Sequence, residues 1–240
     1  MLNPPVRRSP PSIRRAMVLL LLMASATFAQ EAPPAQWIRL DVLPGEMRLT
    51  PRESHDGVPP RFVLLTDGSL FVGGRREVLK GRLDKDEMQA ISTRLDLAIK
   101  SMGKAGVPQT LVVGEGPALF RFSVLLGSPL QFVVMGNLEA AGAPPLSPMP
   151  DFIRHLAAFR HPSLTPWTPA HFTMIAKERA LPGGCRAASG LPPLAQTVAN
   201  SVVVPEKLTH GFPTGSELSQ VCEGPKRFTV AFRPVIPGER

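Results

Sequence analysis

Tyrosine is absent from this chain of 240 residues, and tryptophan and cysteine occur only twice each. Each scarcity bears on function. Carbohydrate sites commonly stack sugars on Tyr and Trp, and single-stranded nucleic-acid sites stack bases on the same rings, so both lack their usual platform. Basic residues do not compensate, because they gather nowhere beyond "GGRRE" and "GPKRF". A nucleic-acid surface needs such residues on one face, so no nucleic-acid partner is expected. Long apolar runs are scarce too. The best, Ala16 to Ala29, has 14 residues, short of the roughly 20 that span a bilayer.

That run fits an export signal instead. Four arginines in "RRSPPSIRR" precede it, and Thr27 and Ala29 are the small residues a signal peptidase reads. Residues 1–29 are therefore expected to be a cleaved signal peptide, which places the mature protein in the periplasm or outside the cell with no membrane span. Arg14 and Arg15 also resemble a twin-arginine pattern, but Ile13 precedes them and no Lys follows. Of the 27 Lys and Arg, four lie in the signal. The remaining 23 face 19 acidic residues, so the mature charge is +4 rather than +8.

Export gives the two cysteines a meaning. In an oxidising compartment an even pair leaves no orphan, so Cys185 and Cys222 are expected to form a disulfide.

The 28 prolines cluster in "APPAQ", "DGVPPR", "AGAPPLSPMP", "HPSLTPWTP" and "GLPPL", which read as rigid connectors between short elements. Residues 30–36 are expected to be a Pro-rich linker and 37–240 a single α+β domain, with subdomains 37–160 and 165–240 left open.

Between the prolines, periodicity places the elements. "WIRLDVL" alternates Ile38, Leu40 and Val42 against Trp37, Arg39 and Asp41, as a half-buried strand does. "RFVLLTDGSLFVGG" reads as a hairpin turned at Asp67-Gly68 by a two-residue loop, since Gly takes positive φ freely and Asp tolerates it. "LDKDEMQAISTRLDLAIKSMGK" reads as a helix capped by Asp84 with Glu87 three residues on, its apolar stripe running from Met88 to Met102. Strands follow at "TLVVG" and on both sides of "GSP", then a short helix at "DFIRHLAAFR". The last third offers a strand at "HFTMIA", a helical turn at "GSELSQVCE" and a closing strand at "RFTVAFRPVI". Residues 61–102 and 118–160 thus share an order, hairpin then helix. The expected class is α+β, an antiparallel sheet built from hairpins with a few helices on one face and Pro-rich loops.

The stretch "RFVLLTDGSLFVGG" with "LKGRLDKDEMQAI" and the closing "KRFTVAFRPVIPGE" resembles uncharacterised secreted bacterial proteins, in which strand, Asp-Gly turn, strand and capped helix recur. It covers about a third of the mature chain. The resemblance implies export and an α+β fold, and it carries no catalytic residue with it.

Catalytic templates fit poorly. Asp67 lacks the further oxygen ligands of a calcium loop. Ser101 and Lys104 have serine-lysine spacing, but at a helix end and without the "SDN" and "KTG" partners. Ser216 suits a helix cap better than a nucleophile elbow. No two histidines share a helical face with a carboxylate, so no metal or other cofactor is expected, although His155, His161 and His171 could meet in space; His55 and His210 lie in loops. The expected function is a non-enzymatic envelope or extracellular domain that binds a cell-envelope or extracellular protein or plays a structural part. The alternatives are a hydrolase assembled from Ser216, His210 and Glu217, a metal enzyme using the histidines, or a protease-inhibitor-like module presenting "GGCRAASGLPP".

Overall fold

The alternation of β1 (Gln36–Leu43) buries Ile38 and Leu40 completely, and the strand lies mid-way across an eight-stranded sheet. The computed structural model describes residues 34–43, 59–73, 77–102, 109–113, 119–125, 130–136, 138, 148–179, 183–198, 200–213 and 218–239. The proposed signal peptide and Ser216, Glu217, His55 and Lys104 fall outside these residues.

Beyond β1 run β2 (Phe62–Leu65), β3 (Ser69–Gly73), β4 (Val78–Arg82) and the two-residue edge strand β8 (Thr165–Pro166). On its other side lie β6 (Leu119–Val124), β7 (Leu130–Gly136) and β5 (Gln109–Val113). All pairs are antiparallel except β5 with β7. Helices α1 (Lys85–Ser101) and α2 (Pro148–Ala157) cover one face, where Ile91, Leu95, Phe152, Ile153 and Leu156 join Leu40, Phe62, Phe122 and Val134 in the main core. The fold is α+β, and each of the two hairpin-bearing segments is followed by its helix.

The hairpin departs from a two-residue loop. Phe62 pairs with Val72 and Leu64 with Leu70, so Leu65 faces Ser69 across three loop residues. Gly68 N–H donates to Leu65 O at 3.1 Å, and Gly68 alone carries positive φ, at 85°. This is a turn followed by a left-handed residue, the usual solution for a three-residue loop. Asp67 keeps negative φ and binds Ser69, its Oδ1 accepting from the backbone N–H and its Oδ2 from the hydroxyl, both at 2.9 Å.

β1 is also not half-buried. Gln36 pairs with Leu65 and Ile38 with Leu64, which makes Trp37 the extra residue of a bulge. The bulge turns Gln36 to the same face as Arg39 and Asp41. That face is covered by the chain end, where Ile236 packs with Val63, Leu65, Phe71, Val78 and Trp167.

The last third forms a second sheet, in the order β10 (Arg186–Ala187), β12 (Ser219–Glu223), β13 (Lys226–Pro234), β9 (His171–Glu178) and β11 (Val202–Pro205). Its core is Phe172, Met174, Val221, Phe228, Val230, Phe232 and neighbours, capped by the one-turn helix α3 (Leu194–Thr197). The helical turn expected at "GSELSQVCE" gives way to extended chain. Residues 219–223 are strand β12, and Val221 is fully buried opposite Phe228. Prolines keep to positions they tolerate: Pro148 and Pro150 open α2, and Pro166 ends the edge strand β8.

Cys185 and Cys222 are joined, with Cα atoms 5.6 Å apart. The bond ties the exposed segment at β10 to β12, and Arg186 beside it lies 4.8 Å over the Phe212 ring.

Candidate functional site

Helix α1 begins where Asp84 Oδ1 accepts from the Asp86 and Glu87 N–H groups, both at 2.9 Å. Glu87 Oε2 returns the bond from Asp84 N–H at 2.8 Å, completing a capping box. Its other oxygen reaches outward. Oε1 lies 2.7 Å from His161 Nε2, and His161 Nδ1 lies 2.6 Å from Ser163 Oγ. The Asp84 N–H and then His161 hold the Glu87 carboxyl below its ordinary pKa. A carboxylate on one ring nitrogen and a hydroxyl on the other is the order of groups in a nucleophilic triad, here with the nitrogens exchanged, since a triad's serine faces Nε2 and its carboxylate Nδ1. Nothing in the spacing of residues 87, 161 and 163 announces it, because the helix start and the chain after α2 meet only through the fold.

The serine is bound elsewhere as well. Ser163 Oγ accepts from Arg82 N–H at 3.0 Å and lies 3.1 Å from Arg82 O. It sits so close to β4 that a Cβ at Gly81 would come within 2.6 Å of it. Two residues later the chain pairs with β4 at Lys80 and Leu79. The hydroxyl thus extends the β4–β8 ladder by one step, and its single proton cannot serve Arg82 O and His161 together.

Beside this group a cleft of about 250 Å³ lies between α1 and α2, lined by Leu83, Glu87, Ala90, Ile91, Arg94, His155, Phe159 and His161. Ser163 does not line it. Phe159 stands between the two histidines, edge-on to His155 with centroids 5.8 Å apart and stacked on His161 at 6.3 Å. Burial, and then the nearby Arg94 cation, hold His155 below its ordinary pKa.

The other sequence candidates scatter. His171 opens β9 opposite Pro205, and His210 is exposed 3.6 Å from Glu206. Ser101 Oγ donates to Ala98 O at 2.6 Å. Asp67 only turns the hairpin; burial alone would raise its carboxyl, but the bonds from Ser69 hold it below the usual range. No group of three His, Cys, Asp or Glu able to hold a metal occurs among the described residues, and no helix there is long and apolar enough to cross a membrane.

A second polar cluster lies on the covered face of β1. Arg39 Nε and Nη2 hold Asp41 at 3.0 Å and Nη1 holds Glu239, which Arg233 also binds at 2.8 Å. Ile236 N–H donates to Glu239 Oε2 at 3.0 Å. Burial opposes the carboxylate, but Arg233 and Arg39 outweigh it and keep Glu239 below its ordinary pKa. With its charges matched and little exposed, the cluster fastens the chain end to β1 and offers no open face. No family model, curated protein or solved structure matches this chain.

Proposed function

We propose that the protein is an exported, non-enzymatic domain of the cell envelope or extracellular space that binds a protein partner. The observation that carries this reading is the fate of the Ser163 hydroxyl. The one arrangement in the described residues with the order of a triad spends its serine on the β4 backbone, away from the cleft, and its carboxylate on a helix cap. A nucleophile must be held where it meets a bound substrate. Here both outer members hold secondary structure, while the apolar floor and Arg94 face the open cleft. The Cys185–Cys222 bond supports an oxidising compartment.

A hydrolase is the second reading, favoured by the 2.6 Å and 2.7 Å contacts of His161. One experiment separates the two. The purified, disulfide-bonded chain is offered a fluorophosphonate probe and a panel of short-chain esters, and in parallel is cross-linked in an envelope fraction. The binding reading expects no labelling of Ser163 and capture of a discrete protein. Labelling at Ser163 that disappears in His161→Ala would overturn it.

A further inference from the structure

The cleft holds two polar side chains whose hydrogen-bonding groups have no partner among the described residues. Arg94 is exposed on α1 and His155 half-buried on α2, and neither has a hydrogen bond or ion pair among the described residues. The nearby acids are already engaged. Glu87 is bound by Asp84 N–H and His161, and Asp151 by Arg154 at 2.6 Å. Arg94 lies seven positions beyond Glu87, which at a rise of 1.5 Å per residue sets them about 10 Å apart along α1. The cleft therefore has a closed polar end at Glu87 and His161, an apolar floor of Leu83, Ala90, Ile91 and Phe159, and an open cationic end at Arg94.

We infer that this cleft takes the C-terminus of a partner polypeptide, with the apolar last side chain on the floor and the free carboxylate between Arg94 and His155. The inference rests on the protein-binding reading above. Three features select this occupant. Charge complementarity asks for an anion at Arg94, and a guanidinium can hold both oxygens of a carboxylate at once. Apolar atoms beneath ask for a hydrophobic group next to that anion. The volume of about 250 Å³ lies below the roughly 300–1,000 Å³ of sites that enclose a whole small molecule, so it suits one side chain while the rest of the ligand leaves into solvent. Capture of a terminal carboxylate is an established mode of peptide recognition.

The test uses the full disulfide-bonded chain and dye-labelled five-residue peptides ending in leucine, read by fluorescence anisotropy. The free-acid peptide is expected to bind at least about tenfold more tightly than its C-terminal amide, as loss of a charge-assisted pair implies. Arg94→Glu should abolish that preference and Lys207→Glu, in the 3-10 turn that follows β11, should leave it unchanged. Arg94 is exposed, so the variant folds, which circular dichroism checks. Equal binding of acid and amide, or an unchanged preference in Arg94→Glu, would overturn the assignment. So would displacement by octanoate as effective as by the acid peptide, which would make the occupant a free apolar acid. A partner captured from the envelope equally by wild type and Arg94→Glu would leave the binding-domain reading standing while removing the cleft from it.

Discussion

The two sheets reach stability by different routes. Among the described residues the first has twenty-one buried apolar residues under two helices of 17 and 10 residues, and no covalent tie. The second has nine in its core cluster, is covered by two four-residue helical turns at 194–197 and 206–209, and carries the disulfide. Burial contributes roughly 25 cal/mol per Å² of apolar surface, so the smaller core has less with which to oppose chain entropy. A covalent link restricts the unfolded chain instead. The covalent bond thus stands where the apolar core is thinnest.

Reducing Cys185–Cys222 is the strongest way to break that comparison. The bond closes a loop of 37 residues, and in the chain-entropy account its loss costs about 4 kcal/mol. Urea unfolding with and without reductant should show that shift, and a change under 1 kcal/mol would place the stability of the last third elsewhere.

Next in size is the junction between the sheets. Glu239→Gln leaves Arg39 and Arg233 short of a buried counter-charge, which costs about 3 kcal/mol. The same carboxylate predicts an acid response. Its folded pKa is lowered, so its contribution is complete above the ordinary Glu range of about 4.3 and is lost as pH falls through the lowered value. Unfolding followed from pH 6 to pH 2 should show wild type losing stability below pH 4.3 more steeply than the Gln variant. Parallel curves would remove Glu239 from the account.

Two smaller changes sharpen the comparison by touching the first sheet alone. Gly68→Val forces a β-branched residue to φ 85° and sets its Cβ 2.7 Å from Leu83 O, with an expected cost of about 2 kcal/mol. Asp84→Ala removes the helix cap, at about 1 kcal/mol. Neither should alter the rate at which the disulfide reacts with reductant, which thiol titration measures.

Local chemistry was legible in the sequence. The capping box of Asp84 and Glu87, the Asp-Gly corner and the strands read at 37–43 and 227–236 follow from short-range preferences, and the structure contains them, the strands with bounds of 36–43 and 226–234. The Cys185–Cys222 pair aside, readings that depended on distant neighbours went astray. Arg39 and Asp41 looked solvent-facing because alternation reports two faces and not what covers each, and the cover is the chain end almost two hundred residues away. Residues 219–223 looked helical because "SELSQVCE" has helix formers, whereas pairing along β13 decides their state. The cleft could not be foreseen. Glu87 and His161 are 74 residues apart, and only the packing of α1 against α2 brings Arg94 near His155.

Hydrogen exchange read by mass spectrometry on the oxidised and the reduced chain tests the central claim most directly. Reduction is expected to strip protection from amides of 172–176 and 219–232 while those of 62–72 and 91–98 keep theirs. Equal loss in both sheets, or loss confined to the first, would contradict it.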